Sequence, residues 1–245
     1  MQLFLLVTFV FVCLGSAIVG TRLLLAGMRT RTAPELAYGS ALILMAVGAV
    51  VRLVVYGILG GGPEYHAQMI GAGVTRLFTL ITLTCGIHVI FRPGVLWSKA
   101  LVGAFLLLGL ASLGIVVAYP GGIAEGGALY QLGDLTAGLV TTWGAVESFA
   151  YWGKLRKRLA LGIADPLTTE QFGIWGTSFA LASAAGFIVA IATVVLHAPI
   201  TGYPYILAVV QACLVGTTGL TWLAFYPPQR FQAWVRARHA ATAQG

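Results

Sequence analysis

Residues 100–119 read ALVGAFLLLGLASLGIVVAY, a run of twenty residues without a charged side chain. A helix needs about 20 mainly apolar residues to cross the hydrocarbon core of a bilayer. Six other apolar runs of spanning length lie on either side of this one. The seven predicted helices cover about 2–27, 35–60, 66–91, 96–119, 126–153, 167–196 and 203–227. The sequence therefore predicts an all-α, polytopic membrane protein, with residues 1–245 forming a single seven-helix transmembrane domain.

The composition excludes a soluble globular protein. Of the 245 residues, 59% are apolar and 9% are charged, and the mean hydropathy is +0.92. An ordinary soluble domain has about 25% charged residues. Seven spans with short loops use up the chain, so no separate soluble domain is expected.

The positions of lysine and arginine predict the orientation, because positively charged loops stay on the cytoplasmic side of a membrane. The loops at 61–65, 120–125 and 197–202 contain neither residue. The other loops and the helix ends beside them carry 12 of the 14 basic residues: Arg22, Arg29, Arg31, Arg92, Lys99, Lys154, Arg156, Lys157, Arg158, Arg230, Arg236 and Arg238. We therefore expect the N-terminus outside and the C-terminus in the cytoplasm.

The basic stretch after the fifth run forms the best-defined turn in the sequence. Lys154, Arg156, Lys157 and Arg158 are predicted to contact lipid headgroups or a protein partner, and binding of nucleic acid is not expected. The helix is expected to continue to Leu161 before the chain turns. Asp165 is the predicted N-cap of the sixth helix, with Pro166 at its first position.

The two remaining arginines, Arg52 and Arg76, lie well inside the second and third predicted helices. A charge within a membrane span is costly unless it finds partners in the bundle. Counting 1.5 Å per residue from the helix ends places both arginines and Asp134 at a matched depth of roughly 12 to 15 Å. One carboxylate can balance only one arginine, so the group could form a site for a small anionic ligand. The alternative is an ion pair that serves helix packing alone. The predicted ligand-binding residues are Arg52, Arg76, Asp134, Tyr56, Tyr130 and Gln131.

A second polar group lies nearer the cytoplasmic side. It comprises His88, Glu147 and Arg22. His88 and Glu147 could form a proton relay, since imidazole and carboxylate are common proton carriers. The alternative is that these side chains only reach the interface from the helix ends.

Several activities do not fit the residues. A retinal Schiff base needs a lysine within a late helix, but Lys99, Lys154 and Lys157 all lie at the predicted cytoplasmic boundary. The four histidines fall at scattered depths, with no pair suited to zinc or haem, and no nucleophile motif is present. We expect no enzyme activity, no catalytic residue, no metal and no cofactor.

The segment Leu155-Arg156-Lys157-Arg158-Leu159-Ala160-Leu161-Gly162-Ile163-Ala164-Asp165-Pro166 resembles the corresponding turn of a family of uncharacterised bacterial seven-helix proteins. The stretches Val19 to Leu23 and Arg29 to Leu36 share the resemblance. It implies a bacterial inner (cytoplasmic) membrane and a multi-pass topology. It implies no function and no catalytic residues.

The sequence leaves three hypotheses for function. The first is a protein that binds a small ligand from the outer side and acts through a membrane or cytoplasmic partner. The second is a structural or accessory subunit of a larger membrane complex. The third is a small-solute carrier, although no proline interrupts a predicted helix as it does in small seven-helix sugar carriers.

Overall fold

The structure is a computed structural model that describes the backbone of residues 2–58, 63–120, 123–197 and 200–243. Within these ranges the side chains of 2–5, 33–34, 52–58, 63–65, 67–68, 123–124, 201 and 240–243 are not described. Every regular element in the described ranges is helical. The α-helices are α1 (Gln2–Thr30), α2 (Ala33–Ile58), α3 (Pro63–Phe91), α4 (Leu96–Ala118), α5 (Ile123–Gly126), α6 (Leu132–Ala160), α7 (Pro166–Leu196), α8 (Pro204–Phe225) and α9 (Gln229–Ala243).

The long helices form a ring. Along the chain, α1 packs on α2, α2 on α3, α3 on α4, α4 on α6, α6 on α7 and α7 on α8, and α1 against α8 closes the ring. In addition, α3 contacts α6 directly, and α9 packs on α7. Short turns place the ends of α1, α3, α6 and α8 at one end of the ring, which we call the basic end because most lysines and arginines lie there.

Five helices in the described part of the chain are long and apolar enough to cross a membrane. They are Leu6–Thr30, Met69–Phe91, Leu96–Ala118, Pro166–Leu196 and Pro204–Phe225. These helices are those of a multi-pass membrane protein, as the sequence predicted. Helix α2 contributes a shorter apolar stretch, Glu35–Val51, and α6 carries Asp134, Glu147 and a basic end that lower its apolarity. The predicted count of seven spans therefore stays a prediction.

Several predicted boundaries differ from the structure by a few residues. The largest difference is the start of the fifth predicted helix, which is at Leu132 and not at 126, after the short α5 and a 3₁₀ turn over Gly127–Gln131. The cause is local: Gly127 has φ +53°, which interrupts the helix before Leu132. The end of this helix at Ala160 agrees with the expected continuation to Leu161. The seventh ends at Phe225, before Pro227 and Pro228. Helix α9 was not predicted, because its sequence is too polar to be recognised as an apolar run.

Helices approach closely where glycines face each other. A Cβ on Gly20 of α1 would lie 2.9 Å from the Gly39 carbonyl oxygen of α2, and a Cβ on Gly39 would lie 2.9 Å from the Gly20 oxygen. A Cβ on Gly186 of α7 would lie 3.0 Å from Gly138 Cα of α6. Small residues at such crossings let backbones touch and increase van der Waals contact, the main attraction between helices in lipid.

An aromatic cluster fills the centre of the ring near the basic end. Trp175 of α7 lies at its middle and is 7% exposed. Its ring contacts those of Tyr38, Phe91, Phe179 and Phe225 at centroid distances of 5.3, 5.7, 5.5 and 5.4 Å. The cluster joins α2, α3, α7 and α8.

The turn between α6 and α7 has the predicted structure. The Asp165 carboxylate accepts hydrogen bonds from the Thr168 backbone N–H (2.8 Å) and the Thr168 hydroxyl (2.9 Å), with Pro166 at the first helical position. Gly162 has φ +71°, and the N–H of Ile163 reaches the Arg158 carbonyl at 3.0 Å. This is a Schellman ending for α6 followed directly by an N-cap for α7.

Asp165→Ala is expected to lower the free energy of unfolding by about 1 kcal/mol, because the N-cap hydrogen bond is lost. Unfolding of the purified protein in mixed micelles, followed by circular dichroism, measures the effect. Asp165→Asn is the control, since its side-chain oxygen still accepts the bond. Equal losses in both variants would contradict a capping role.

Candidate functional site

The predicted charged site is present in part, at the end of the ring opposite the basic end. Arg76 of α3 lies in the candidate span Met69–Phe91, and its Nη2 is 3.3 Å from Oδ1 of Asp134 in the first turn of α6. The two side chains are 22% and 26% exposed. The structure thus brings together the arginine and aspartate that were matched by depth. We call this pair and Gln131 the Arg76 site.

Gly133 makes room for the guanidinium group. A Cβ at this position would collide with Nη1 of Arg76 and would lie 2.6 Å from the Ser112 hydroxyl of α4. The arginine therefore lies against the backbone of α6, where α3, α4 and α6 meet. A larger residue at 133 would push the guanidinium away from Asp134.

Gln131 supplies an unsatisfied acceptor at the start of α6. The residue is 6% exposed, and its Oε1 has no hydrogen-bond partner among the described residues. A buried acceptor without a donor costs roughly 1 to 3 kcal/mol, so a ligand or water that donates here would be stabilised. Tyr130 is half-buried and makes contacts of its own. The side chains of Arg52 and Tyr56 lie outside the described residues, so their part in the site stays a prediction.

A second ion pair joins the turn after α3 to α6 near the basic end. The Arg92 Nε donates to both carboxylate oxygens of Glu147, at 2.9 Å each. The Glu147 side chain is 6% exposed and that of Arg92 is 35% exposed. The Trp97 ring lies 5.5 Å from the Arg92 guanidinium carbon. Sequence reasoning counted Arg92 only as an orientation signal, because 55 residues separate it from its partner.

The turn that presents Arg92 is held by a buried serine. Ser98 of α4 is fully buried, and its hydroxyl lies 2.9 Å from the Val95 carbonyl and 3.2 Å from the Arg92 carbonyl. His88 Nδ1 lies 2.8 Å from the same hydroxyl. The hydroxyl has one hydrogen, so which of the two groups donates in this contact depends on the imidazole tautomer. The turn between α3 and α4 is thus tied to both helices.

The predicted proton-relay group is divided in the structure. Glu147 bonds to Arg92, His88 bonds to Ser98, and the Arg22 guanidinium carbon lies 4.9 Å from the Tyr226 ring centroid. Arg22 therefore belongs to the contact between α1 and α8, which corrects its assignment to the Glu147 group. The described contacts give Glu147 a permanently charged guanidinium rather than an imidazole, so they provide no direct path between His88 and Glu147.

The basic stretch at the end of α6 is exposed as predicted. Lys154, Arg156, Lys157 and Arg158 all face outward, and the Arg156 guanidinium carbon lies 5.1 Å from the Trp152 ring centroid. The turn that follows exposes Leu161 and Ile163 by 74% and 70%. A surface that mixes cations with large apolar groups suits either lipid headgroups or a protein partner.

The described residues were also searched for a metal-binding cluster and for cavities. Within the described ranges, no three His, Cys, Asp or Glu residues lie close enough together to hold a metal ion. An apolar groove of about 490 Å³ lies on α7 and is bounded by Ile206 of α8. Its other lining residues are Ala184, Phe187, Ile188, Ile191, Ala192, Val195 and Leu196.

Comparison of the chain with protein-family models, curated proteins and solved structures found no match. The resemblance of the 155–166 turn to a bacterial seven-helix family therefore stays a prediction. The proposal for function rests on the geometry of the two ion pairs, Arg76–Asp134 and Arg92–Glu147.

Arg92→Gln is expected to lower the free energy of unfolding by about 3 kcal/mol, because it leaves the buried Glu147 carboxylate without its partner. This value is at the low end for such a loss, since Arg92 is partly exposed. The double variant Arg92→Gln/Glu147→Gln should recover most of the stability, and the exposed Lys157→Gln should change it little. Denaturant unfolding in mixed micelles gives all three values. A double variant no more stable than Arg92→Gln would contradict a coupled pair.

Proposed function

We propose that this chain is a non-enzymatic, seven-span protein of a bacterial inner membrane that binds a small anionic ligand at the Arg76 site. In this proposal the N-terminus and the Arg76 site face outward, and the basic end faces the cytoplasm. Ligand binding is reported through the turn at 154–165 to a membrane or cytoplasmic partner.

The observation that carries the proposal is the incomplete pairing of Arg76. A guanidinium has five N–H donors, and the described ionic contact of Arg76 is the single one to Asp134 at 3.3 Å. A carboxylate or phosphate ligand can accept two parallel hydrogen bonds from such a group, which is a stronger arrangement than one long contact. The 22% exposure of the side chain leaves it reachable. The unsatisfied Gln131 oxygen beside this turn could take a donor from the same ligand.

The distribution of charge supports the orientation. The ends of α1, α3 and α6 and the helix α9 carry most of the basic residues, and they lie at the same end of the ring. Positively charged segments stay in the cytoplasm. The Arg76 site is at the opposite end and therefore faces outward.

Helix α6 provides a route from the site to the cytoplasmic end. It is continuous from Leu132 to Ala160, so Asp134 and Arg158 lie on one rigid rod, about 36 Å apart at 1.5 Å per residue. The Glu147–Arg92 pair holds this rod to α3 between those points. A ligand that replaces Asp134 as the partner of Arg76 would release the first turn of α6 and let the rod tilt about the remaining pair.

The alternative function is that of a structural or accessory subunit. It is favoured by the fact that one ion pair joins α3 to α6 and the other joins the turn after α3 to α6, as contacts that serve helix packing would. Recovery from native membranes as a stoichiometric member of a complex would support this alternative. Counterflow in liposomes would be needed to establish a small-solute carrier.

The ligand-binding and packing hypotheses predict different effects of Asp134→Asn. If Asp134 competes with the ligand for Arg76, this variant should bind carboxylates at least as tightly as the wild type. Arg76→Gln should bind them about tenfold or more weakly, since a hydrogen bond to a charged group contributes about 1.5 to 3 kcal/mol. If the pair serves packing alone, both variants should only melt at lower temperature.

Thermal melting of the purified protein with a series of carboxylates from acetate to decanoate measures these effects. Arg158→Gln, which removes an exposed charge far from the site, is the control and should bind like the wild type. Equal, ligand-independent losses of stability in Asp134→Asn and Arg76→Gln would contradict ligand binding at this site.

A further inference from the structure

The C-terminal helix α9 has one face packed on α7. Val235 is fully buried, and Phe231, one turn earlier, is half-buried. His239, one turn later, places Nε2 3.3 Å from Oε1 of Glu170, near the start of α7. These three residues lie at i, i+4 and i+8 and therefore share one side of the helix. The contact fixes α9 beside the beginning of α7.

The other side of α9 combines an exposed tryptophan with arginines. Trp234 is 54% exposed, and Arg230 and Arg238 lie one turn before and after it. The guanidinium carbon of Arg238 lies 5.4 Å from the Trp234 ring centroid. Ala233 and Ala237 are also exposed on this side, Arg236 is exposed at its edge, and α9 contains no acidic residue. We call this side the Trp234 face.

The location of α9 indicates what covers this face. The candidate span Pro204–Phe225 ends only three residues before α9 begins, and the start of α7, another candidate span, lies beside it. The helix is 15 residues long, too short to cross a bilayer. It therefore lies at the level where headgroups surround the ends of the spans. Tryptophan prefers this level, where its ring meets apolar carbon and its N–H meets water.

We propose that the Trp234 face binds anionic phospholipid headgroups and holds α9 in the plane of the membrane interface. Arginines pair with lipid phosphates through parallel hydrogen bonds, and basic side chains are attracted to the negative surface of the cytoplasmic leaflet. An acidic protein could match the positive charge, but it would have no need of an exposed tryptophan at headgroup level. This proposal does not depend on a ligand at the Arg76 site.

The test uses the full chain with a reporter on the face. Ala237→Cys, in a background where Cys13, Cys85 and Cys213 are replaced by alanine, is labelled with the environment-sensitive fluorophore NBD. The protein is placed in nanodiscs of phosphatidylcholine alone, or with phosphatidylglycerol as about one lipid in three. We expect the emission to rise and shift to shorter wavelength when phosphatidylglycerol is present. Salt at about 1 M should reverse the change, because it shortens the Debye length to roughly 3 Å.

Matched variants separate this face from a general attraction of charge. Arg230→Gln/Arg236→Gln and, separately, Trp234→Ala should lose most of the emission change. Arg29→Gln/Arg31→Gln removes the same number of exposed charges from the same end of the ring and should keep it. An unchanged emission on adding phosphatidylglycerol would overturn the proposal and leave a protein partner as the occupant. An equal loss in the Arg29/Arg31 variant would also overturn it, because attraction by net charge would then explain the result.

Discussion

A charged side chain inside a bilayer costs several kcal/mol unless an opposite charge or a polar group meets it. The Arg76–Asp134 pair meets this requirement for the arginine in the candidate span Met69–Phe91, and a second pair, Arg92 with Glu147, joins the turn after α3 to α6. The two pairs hold these segments together at two levels along α6. Neighbouring helices are then arranged around this junction: α4 packs on both α3 and α6, and α7 packs along α6.

The two ion pairs differ in how completely their charged groups are satisfied. Glu147 accepts two bonds from one Nε at 2.9 Å, its side chain is 6% exposed, and the turn that carries Arg92 is tied down by Ser98. Such a pair is costly to break and offers little to a ligand. Arg76 makes a longer contact to a carboxylate that is 26% exposed, three residues after Gln131, whose buried amide oxygen has no donor among the described residues. The less complete pair is the better candidate for binding, because a ligand can improve on it.

Several features followed from local sequence. The Asp165 N-cap and Pro166 at the first position of α7 were predicted, since a cap depends on side chains a few positions apart. The Schellman ending at Gly162 was seen only in the structure. The match of Arg76 with Asp134 was predicted from depth, because short turns and a regular rise fix the height of each residue along its helix. The partners of Arg92, His88 and Arg22 were not predicted. Depth gives no information about the direction in which a side chain leaves its helix.

The sequence alone determined that this protein is built from apolar helices long enough to cross a membrane and that positive charge gathers at one end. Both properties follow from composition along the chain, which sets the transfer energy of each segment without reference to its neighbours. The tertiary structure decided which charges meet, that glycines at 20, 39, 138 and 186 let helices touch, and that α9 folds back on α7. These outcomes depend on the order of helices around the ring and on their rotation, and contacts between segments distant in the chain select both.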